Sequence, residues 1–139
     1  MRVLIARNNR VGSLLIRAGT FSKWSHAAIY LDDGTVIDTT LSTGVRALPF
    51  LDWLDHYPVW TVVNLPLPDE AAAELFALAQ VGKPYDWTAL FGLVLQRNYQ
   101  EDDSWFCSEL VEAALVAGGR KRFRDSVSHI TPQQTWSVL

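Results

Sequence analysis

The chain carries one cysteine and three histidines, and both scarcities exclude something. A single thiol cannot close an intramolecular disulfide, and one Cys with three His argues against a zinc cluster. Basic residues are also outnumbered, 12 Lys and Arg against 15 Asp and Glu, giving a net charge of −3 and a pI near 5.5. That removes the dominant basic surface on which non-specific nucleic-acid binding depends. Long apolar runs are missing. The longest stretch free of Asp, Glu, Lys and Arg, Ser126 to Leu139, contains His, Pro and several polar residues. Nothing reaches the ~18 consecutive apolar residues of a membrane-spanning helix. The opening Met1-Arg-Val-Leu-Ile-Ala-Arg-Asn-Asn-Arg is charged too often for a secretory leader, which needs an apolar core of ~7–15 residues and a small-residue cleavage site. A cytoplasmic location is the default expectation, and export by a signal-independent route is compatible with it.

What is present suits a packed domain. With 139 residues, 49% of them hydrophobic, the chain can bury a core and fits one domain spanning 1–139. Val3–Ala6 reads as a short buried strand, and Val11, Leu14, Leu15 and Ala18 recur at helical spacing before Gly19. Ala27–Leu31 and Thr35–Thr39 are strand-like and joined by Asp32-Asp33-Gly34, a strong hairpin signal. Gly44–Leu48 continues the pattern. Leu51, Trp53 and Leu54 sit in a short helical stretch ended by Pro58, and Val59–Leu65 is β-rich again. Pro68-Asp69-Glu70 opens a helix with Ala72, Leu75, Phe76 and Ala79 on one face, stopped by Gly82. Asp86 can cap a second helix carrying Trp87, Leu90, Phe91, Val94 and Leu95. A third begins near Phe106–Cys107 and ends at Gly118-Gly119, and Thr131-Pro132 starts a short terminal one. Helices beside an antiparallel meander or small barrel make an α+β fold.

The chemistry concentrates in two segments. His26 stands at the start of a strand in Trp24-Ser25-His26-Ala27-Ala28-Ile29-Tyr30, and Cys107 at the start of a helix in Trp105-Phe106-Cys107-Ser108-Glu109-Leu110-Val111. A thiol at a helix N-terminus meets unpaired N–H groups and the positive dipole end, which favour thiolate, and a neighbouring imidazole favours it further. The same N–H groups can receive a developing oxyanion. An imidazole in this role needs a third group to orient it. Asp38, twelve positions after His26 on the returning hairpin strand, can share its face, and Thr40 is the weaker alternative. By itself a lone Cys on an amphipathic helix is ordinarily a buried core residue.

The order His, a polar or acidic residue on the next strand, then Cys at a helix start resembles the circularly permuted NlpC/P60 hydrolases. These papain-like enzymes include a bacterial YiiX/YaeF-like group and a lecithin:retinol acyltransferase-like group. Leu15-Ile16-Arg17, Thr20 and Trp24-Ser25-His26 are similar to the family's helix-then-Ser-His entry, and Gly82-Lys83-Pro84-Tyr85-Asp86 to its Gly-x-Pro-Tyr-Asp stretch. Phe106-Cys107-Ser108-Glu109 is nearer the bacterial hydrolases than the Asn-Cys-Glu-His of the acyltransferase branch. The resemblance implies Cys107 as nucleophile, His26 as its base and Asp38 as the orienting residue. Tyr85 would line the cleft or donate to the oxyanion, and Trp24, Ser25 and Trp105 become candidate substrate contacts. The implied activity is hydrolysis of an amide, in a peptide or peptidoglycan-type substrate, through a thioester, with no metal or organic cofactor. The alternatives are a lipid-directed thiol acyltransferase or esterase, which would show an apolar tunnel beside Cys107, and a silent binding module of the same fold. His56 and His129 read as structural, and Arg120, Lys121, Arg122 and Arg124 as a solvated helix end.

Overall fold

The computed structural model describes residues 1–9, 13–14, 17–18, 22–86, 104–123 and 130–137. Residues 11, 12, 15 and 16 of the helix expected over 11–18, the helix expected over 87–95, Arg124 and His129 lie outside them.

Five strands form one antiparallel sheet: β1 (Arg2–Arg7), β2 (His26–Tyr30), β3 (Thr35–Thr40), β4 (Gly44–Pro49) and β5 (Val59–Asn64). Their order is β4-β3-β2-β1-β5. The Asp32-Asp33-Gly34 connection turns as its composition predicts. Gly34 takes φ +89°, and the Asp33 carboxylate accepts the Thr35 N–H at 2.8 Å. The meander ends at β4, because β5 pairs with β1 from Arg2↔Asn64 to Arg7↔Val59 on the far side. The sheet is therefore open rather than closed into a barrel.

Alternation along the strands gives the sheet two different faces. One presents Val3, Ile5, Ala27, Ile29, Ile37 and Val45 to two helices, α2 (Glu70–Ala79) and α3 (Cys107–Ala117). The other presents Leu4, Ala6, Ala28 and Val36 to Trp53 and Tyr57, which belong to the short helix α1 (Phe50–Leu54) and the turn after it.

Helix α2 starts as expected, with the Asp69 carboxylate accepting the Ala72 N–H at 2.9 Å. Its buried face differs from the expectation. Ala73 and Ala77 face inward with Phe76 packed beside them, whereas Leu75 is 68% exposed. Small residues win the inner face because α2 lies close against the end of α3, where a Cβ on Gly118 would meet Leu67 and Ala73.

Helix α3 is buried on all sides from Cys107 to Leu115. It stops in a Schellman turn: Gly119 has φ +84°, its N–H reaches Val116 O, and the Arg120 N–H reaches Leu115 O at 2.8 Å. The basic cluster that follows is not simply a solvated end. Arg122 pairs with buried Glu112, whose other contact is the Thr135 hydroxyl at 3.1 Å, and Arg120 donates to Pro66 O at 3.1 Å. Together with Ser108 donating to Ile130 O, this ties α3 to the terminal segment bearing α4 (Pro132–Ser137).

Candidate active site

His26 opens β2 opposite Ala6 of β1. The β2–β3 ladder holds two pairs, Ile29↔Ile37 and Tyr30↔Val36. Continued in register, it sets Asp38 opposite Ala28 and places His26 diagonally on the same face. The side chains meet there: His26 Nε2 lies 3.0 Å from Asp38 Oδ2. The imidazole also lies close enough to the Cys107 side chain for the sulfur to favour its charged form. With Nε2 turned to the carboxylate, Nδ1 is the nitrogen left for the sulfur. His26 comes from the aromatic face and Cys107 from the helix on the opposite face, so the pair straddles the sheet where the β2–β3 ladder has ended.

Both partners are fixed from behind. Asp38 is wholly buried and accepts three further bonds, from Arg46 Nε at 2.8 Å, Arg46 Nη2 at 3.4 Å and the Trp53 indole at 3.2 Å. Tyr57 stacks on the imidazole with ring centroids 4.4 Å apart and planes 4° from parallel. Sequence reasoning missed all three residues. A signal for Arg46 was available: a turn centred on Ser42 sets it opposite Asp38 in the β3–β4 register. Thr40, the alternative third residue, is engaged in that turn, its hydroxyl 2.7 Å from that of Thr43.

The electrostatics follow from these contacts. Burial works against charge on His26, but Asp38 and Cys107 outweigh it and raise its pKa to about 9. Burial likewise opposes ionisation of Asp38, yet His26 and then Arg46 hold its pKa down to about 2. At neutral pH the imidazolium and the carboxylate are both the favoured forms. Tyr85 is pushed well above its usual value, first by burial and then by Cys107, Glu109 and Asp86, so its hydroxyl keeps its proton and can donate.

Cys107 is placed by its neighbours in sequence. Glu109 reaches back to accept the Phe106 N–H at 3.3 Å, which caps the helix start. The residue before Phe106 is clamped by the Pro84-Tyr85-Asp86 stretch: Trp105 N–H donates to Pro84 O at 3.1 Å and Asp86 N–H to Trp105 O at 3.2 Å. The stretch is itself docked on β4, where the Val45 N–H donates to Lys83 O at 2.8 Å. Gly44, at φ +66°, sits so close that a Cβ would overlap the Lys83 carbonyl.

A cleft of about 320 Å³ opens on Cys107 and His26. Asn8, Ser13, Ser25, Thr40 and Ser42 line it together with Arg46, His56, Tyr57 and Tyr85, and Leu41 is the one aliphatic side chain among the described lining residues. Ser25 and Tyr85 thus face the cleft as expected of substrate contacts, and His56, read as structural, faces it as well. The two tryptophans do not line it. Trp24 packs against Trp136 with centroids 5.5 Å apart, and Trp105 turns to α2, donating to Gln80 Oε1 at 3.1 Å. Their aromatic area is used in the helical core instead.

A thiol beside an imidazole that a buried carboxylate holds, at the start of a helix with an open cleft in front, is an arrangement suited to nucleophilic attack on a carbonyl. The family model of the permuted papain-like amidase enzymes, YaeF/YiiX, C92 family, matches residues 5–131. The chain belongs to this family. No curated protein matches it. Its α+β fold is accordingly papain-like, and the enzyme is a cysteine amidase of the peptidase type. Among the described residues, no group of three or more His, Cys, Asp or Glu is placed to hold a metal ion, and no helix is long and apolar enough to cross a membrane.

Proposed function

We propose that this amidase cleaves an amide in a peptide or peptidoglycan-type substrate, with Cys107 as nucleophile, His26 as proton carrier and Asp38 as its orienting partner. The observation that carries the reading is the relay from Cys107 through His26 to Asp38, facing one open cleft. Cys107 Sγ attacks the carbonyl carbon, and the new oxyanion is met by the Cys107 N–H, one of the first-turn donors that a helix leaves without internal acceptors, and by the Tyr85 hydroxyl. The C–N bond breaks as His26 gives its proton to the departing amine, leaving a thioester. Neutral His26 then takes a proton from water, the hydroxide oxygen bonds to the carbonyl carbon, and the C–S bond breaks to restore thiolate and imidazolium.

The cleft's chemistry supports a peptide over a lipid acyl chain. Among the described lining residues, hydroxyls, an amide and a guanidinium supply hydrogen-bond partners for a peptide backbone, and Leu41 is the one aliphatic side chain on which an acyl chain could lie. Mass spectrometry after incubation with peptidoglycan fragments, acyl-peptides and phospholipids tests the assignment. A mass increment on Cys107 from the peptide substrates is expected. An increment from phospholipid alone would overturn the peptide reading in favour of a thiol acyltransferase or esterase.

A further inference from the structure

We propose that Arg46 is a positioning residue that holds one side of the Asp38 carboxylate so that His26 can alternate between charged and neutral within each turnover, an inference that rests on the Cys107–His26–Asp38 reading above. Two cationic side chains share this one buried carboxylate. Arg46 Nε donates to Oδ1 at 2.8 Å and its Nη2 reaches Oδ2 at 3.4 Å, while Oδ2 also meets His26 Nε2 at 3.0 Å and the Trp53 indole at 3.2 Å. Asp38 and Arg46 are directly paired across β3 and β4, so the contact is built into the sheet and not made by a wandering surface side chain. A guanidinium keeps its charge at every working pH, which an imidazole does not.

Charge balance in the two halves of the reaction shows what that permanence achieves. Before attack Cys107 and His26 share one proton and are neutral as a pair, and the carboxylate and guanidinium balance each other. In the thioester the sulfur is neutral and His26 has given up its proton, leaving the carboxylate and guanidinium to balance each other. Without Arg46 the thioester stage would leave the buried Asp38 carboxylate with neutral hydrogen-bond donors and no counter-charge, an unfavourable state in a protein interior. The site would relieve it by protonating His26 again, and a protonated His26 cannot take a proton from water. Arg46 thus serves hydrolysis of the thioester more than its formation.

The charged and titratable groups around this centre are few enough to name. His26 meets Cys107 from α3, Asp38 from β3 and Tyr57 from the turn after α1. Asp38 meets Arg46 from β4, and Arg46 in turn feels Tyr57, while His56 and Tyr85 line the same cleft and Tyr85 feels Cys107 and Glu109. Among these described groups Arg46 is the one permanent cation.

The test uses 4-nitrophenyl acetate, whose burst of 4-nitrophenolate reports acylation and whose steady state reports thioester hydrolysis, measured from pH 5 to 9. In Arg46→Met the burst should persist, while the acid limb of the steady-state rate moves up by about 0.5–1 pH unit, the size of shift a nearby charge produces. That corresponds to a loss of about 3–10-fold at pH 6 that vanishes towards pH 9. Arg46→Lys, which keeps the charge, should restore the wild-type limb. Arg46→Gln, which keeps a donor for Asp38 without charge, should shift it as Met does and replaces the Met variant if that one fails to fold. A uniform loss at every pH with an unmoved limb would reduce Arg46 to scaffolding, and a downward shift would overturn the charge argument. A missing burst in the wild type, or a burst kept in Cys107→Ala, would instead sink the site reading on which the inference rests.

Discussion

The two faces of the sheet are built from different materials. The helical face is aliphatic, with Val3, Ile5, Ile29 and Ile37 against Leu110, Val111 and Leu115, and it closes up through alanines and a glycine. The opposite face carries His26 and Asp38 under Trp53 and Tyr57 and is held by stacking and hydrogen bonds with fixed directions. Aliphatic contacts are non-directional and roughly proportional to buried area. Rings and carboxylates constrain angle and plane as well. The thiol is supplied by the first face and its base by the second. Damage to the helical face should therefore appear mainly as lost stability, and damage to the aromatic face mainly as lost chemistry.

The sharpest break removes the chemistry from each side in turn. Cys107→Ala should abolish turnover, since no neighbouring side chain replaces the sulfur, and His26→Ala should come close. Cys107→Ala should unfold in urea near the wild-type midpoint, whereas His26→Ala also loses the stability that the imidazolium supplies towards acid pH. Turnover surviving in folded Cys107→Ala would end the comparison. On the helical face, Leu115→Ala deletes a wholly buried side chain and should cost about 2–5 kcal/mol in a urea titration. Iodoacetamide should still alkylate Cys107 of the remaining folded protein at the wild-type rate. A slowed reaction there would mean that the two faces are not separable.

Asp38→Asn belongs to the aromatic face and tests charge at nearly constant shape. In a serine hydrolase triad the comparable change costs ~10⁴ in rate. Here Cys107 as well as Asp38 favours the charged form of His26, so a smaller loss, on the order of 10–10³ in kcat, is expected by extension of the same logic. Unchanged kcat in a folded variant would remove Asp38 from the site.

The same unevenness decided what could be read from sequence. His26, Asp38 and Cys107 were legible because each sits at a local landmark: a strand start, a tight Asp-Gly hairpin and a helix start. Arg46 depended on the register of the next hairpin, which Thr40-Leu41-Ser42-Thr43-Gly44 specifies more weakly than Asp-Gly does. Trp53 reads as part of a short helical stretch and Tyr57 carries no signal of its own, since nothing local reports which buried ring touches an imidazole. The buried face of α2 was misjudged because hydrophobicity favours Leu75, whereas close approach to α3 favours Ala73 and Ala77. The Glu112–Arg122 pair spans ten positions and depends on how the chain turns after Gly119. Pairing of β5 with β1 is a matter of tertiary order that no strand pattern encodes.

Two titrations sharpen the comparison further, and their signs differ. The His26 pKa is raised from 6.5 to about 9, so the stability its partners supply is fully present below about 6.5 and is lost as pH rises through about 9. The Asp38 pKa is lowered from 3.8 to about 2, so its contribution is present above about 3.8 and is lost as pH falls through about 2. Urea midpoints of wild type and His26→Gln should therefore converge between pH 6.5 and 9. A constant gap across that window would show that the imidazolium contributes nothing to folding.

The smallest expected effect isolates the stack. Tyr57 lies parallel to His26 at 4.4 Å and fixes the plane in which Nδ1 and Nε2 point to their partners. An aromatic pair of this kind contributes about 0.5–1.5 kcal/mol beyond the area it buries. Tyr57→Leu keeps much of the apolar volume but loses the plane, so alkylation of Cys107 at pH 7 should slow by about 2–10-fold on that energy scale. Tyr57→Phe keeps the ring and should stay within about twofold of wild type, because the stack and not the hydroxyl does the orienting. If Phe proved as slow as Leu, the hydroxyl would be the operative group, through its place in the cleft beside Arg46. If neither variant slowed the reaction, the carboxylate and the backbone of β2 alone would be enough to hold the imidazole, and direction on the aromatic face would reside in hydrogen bonds rather than in rings.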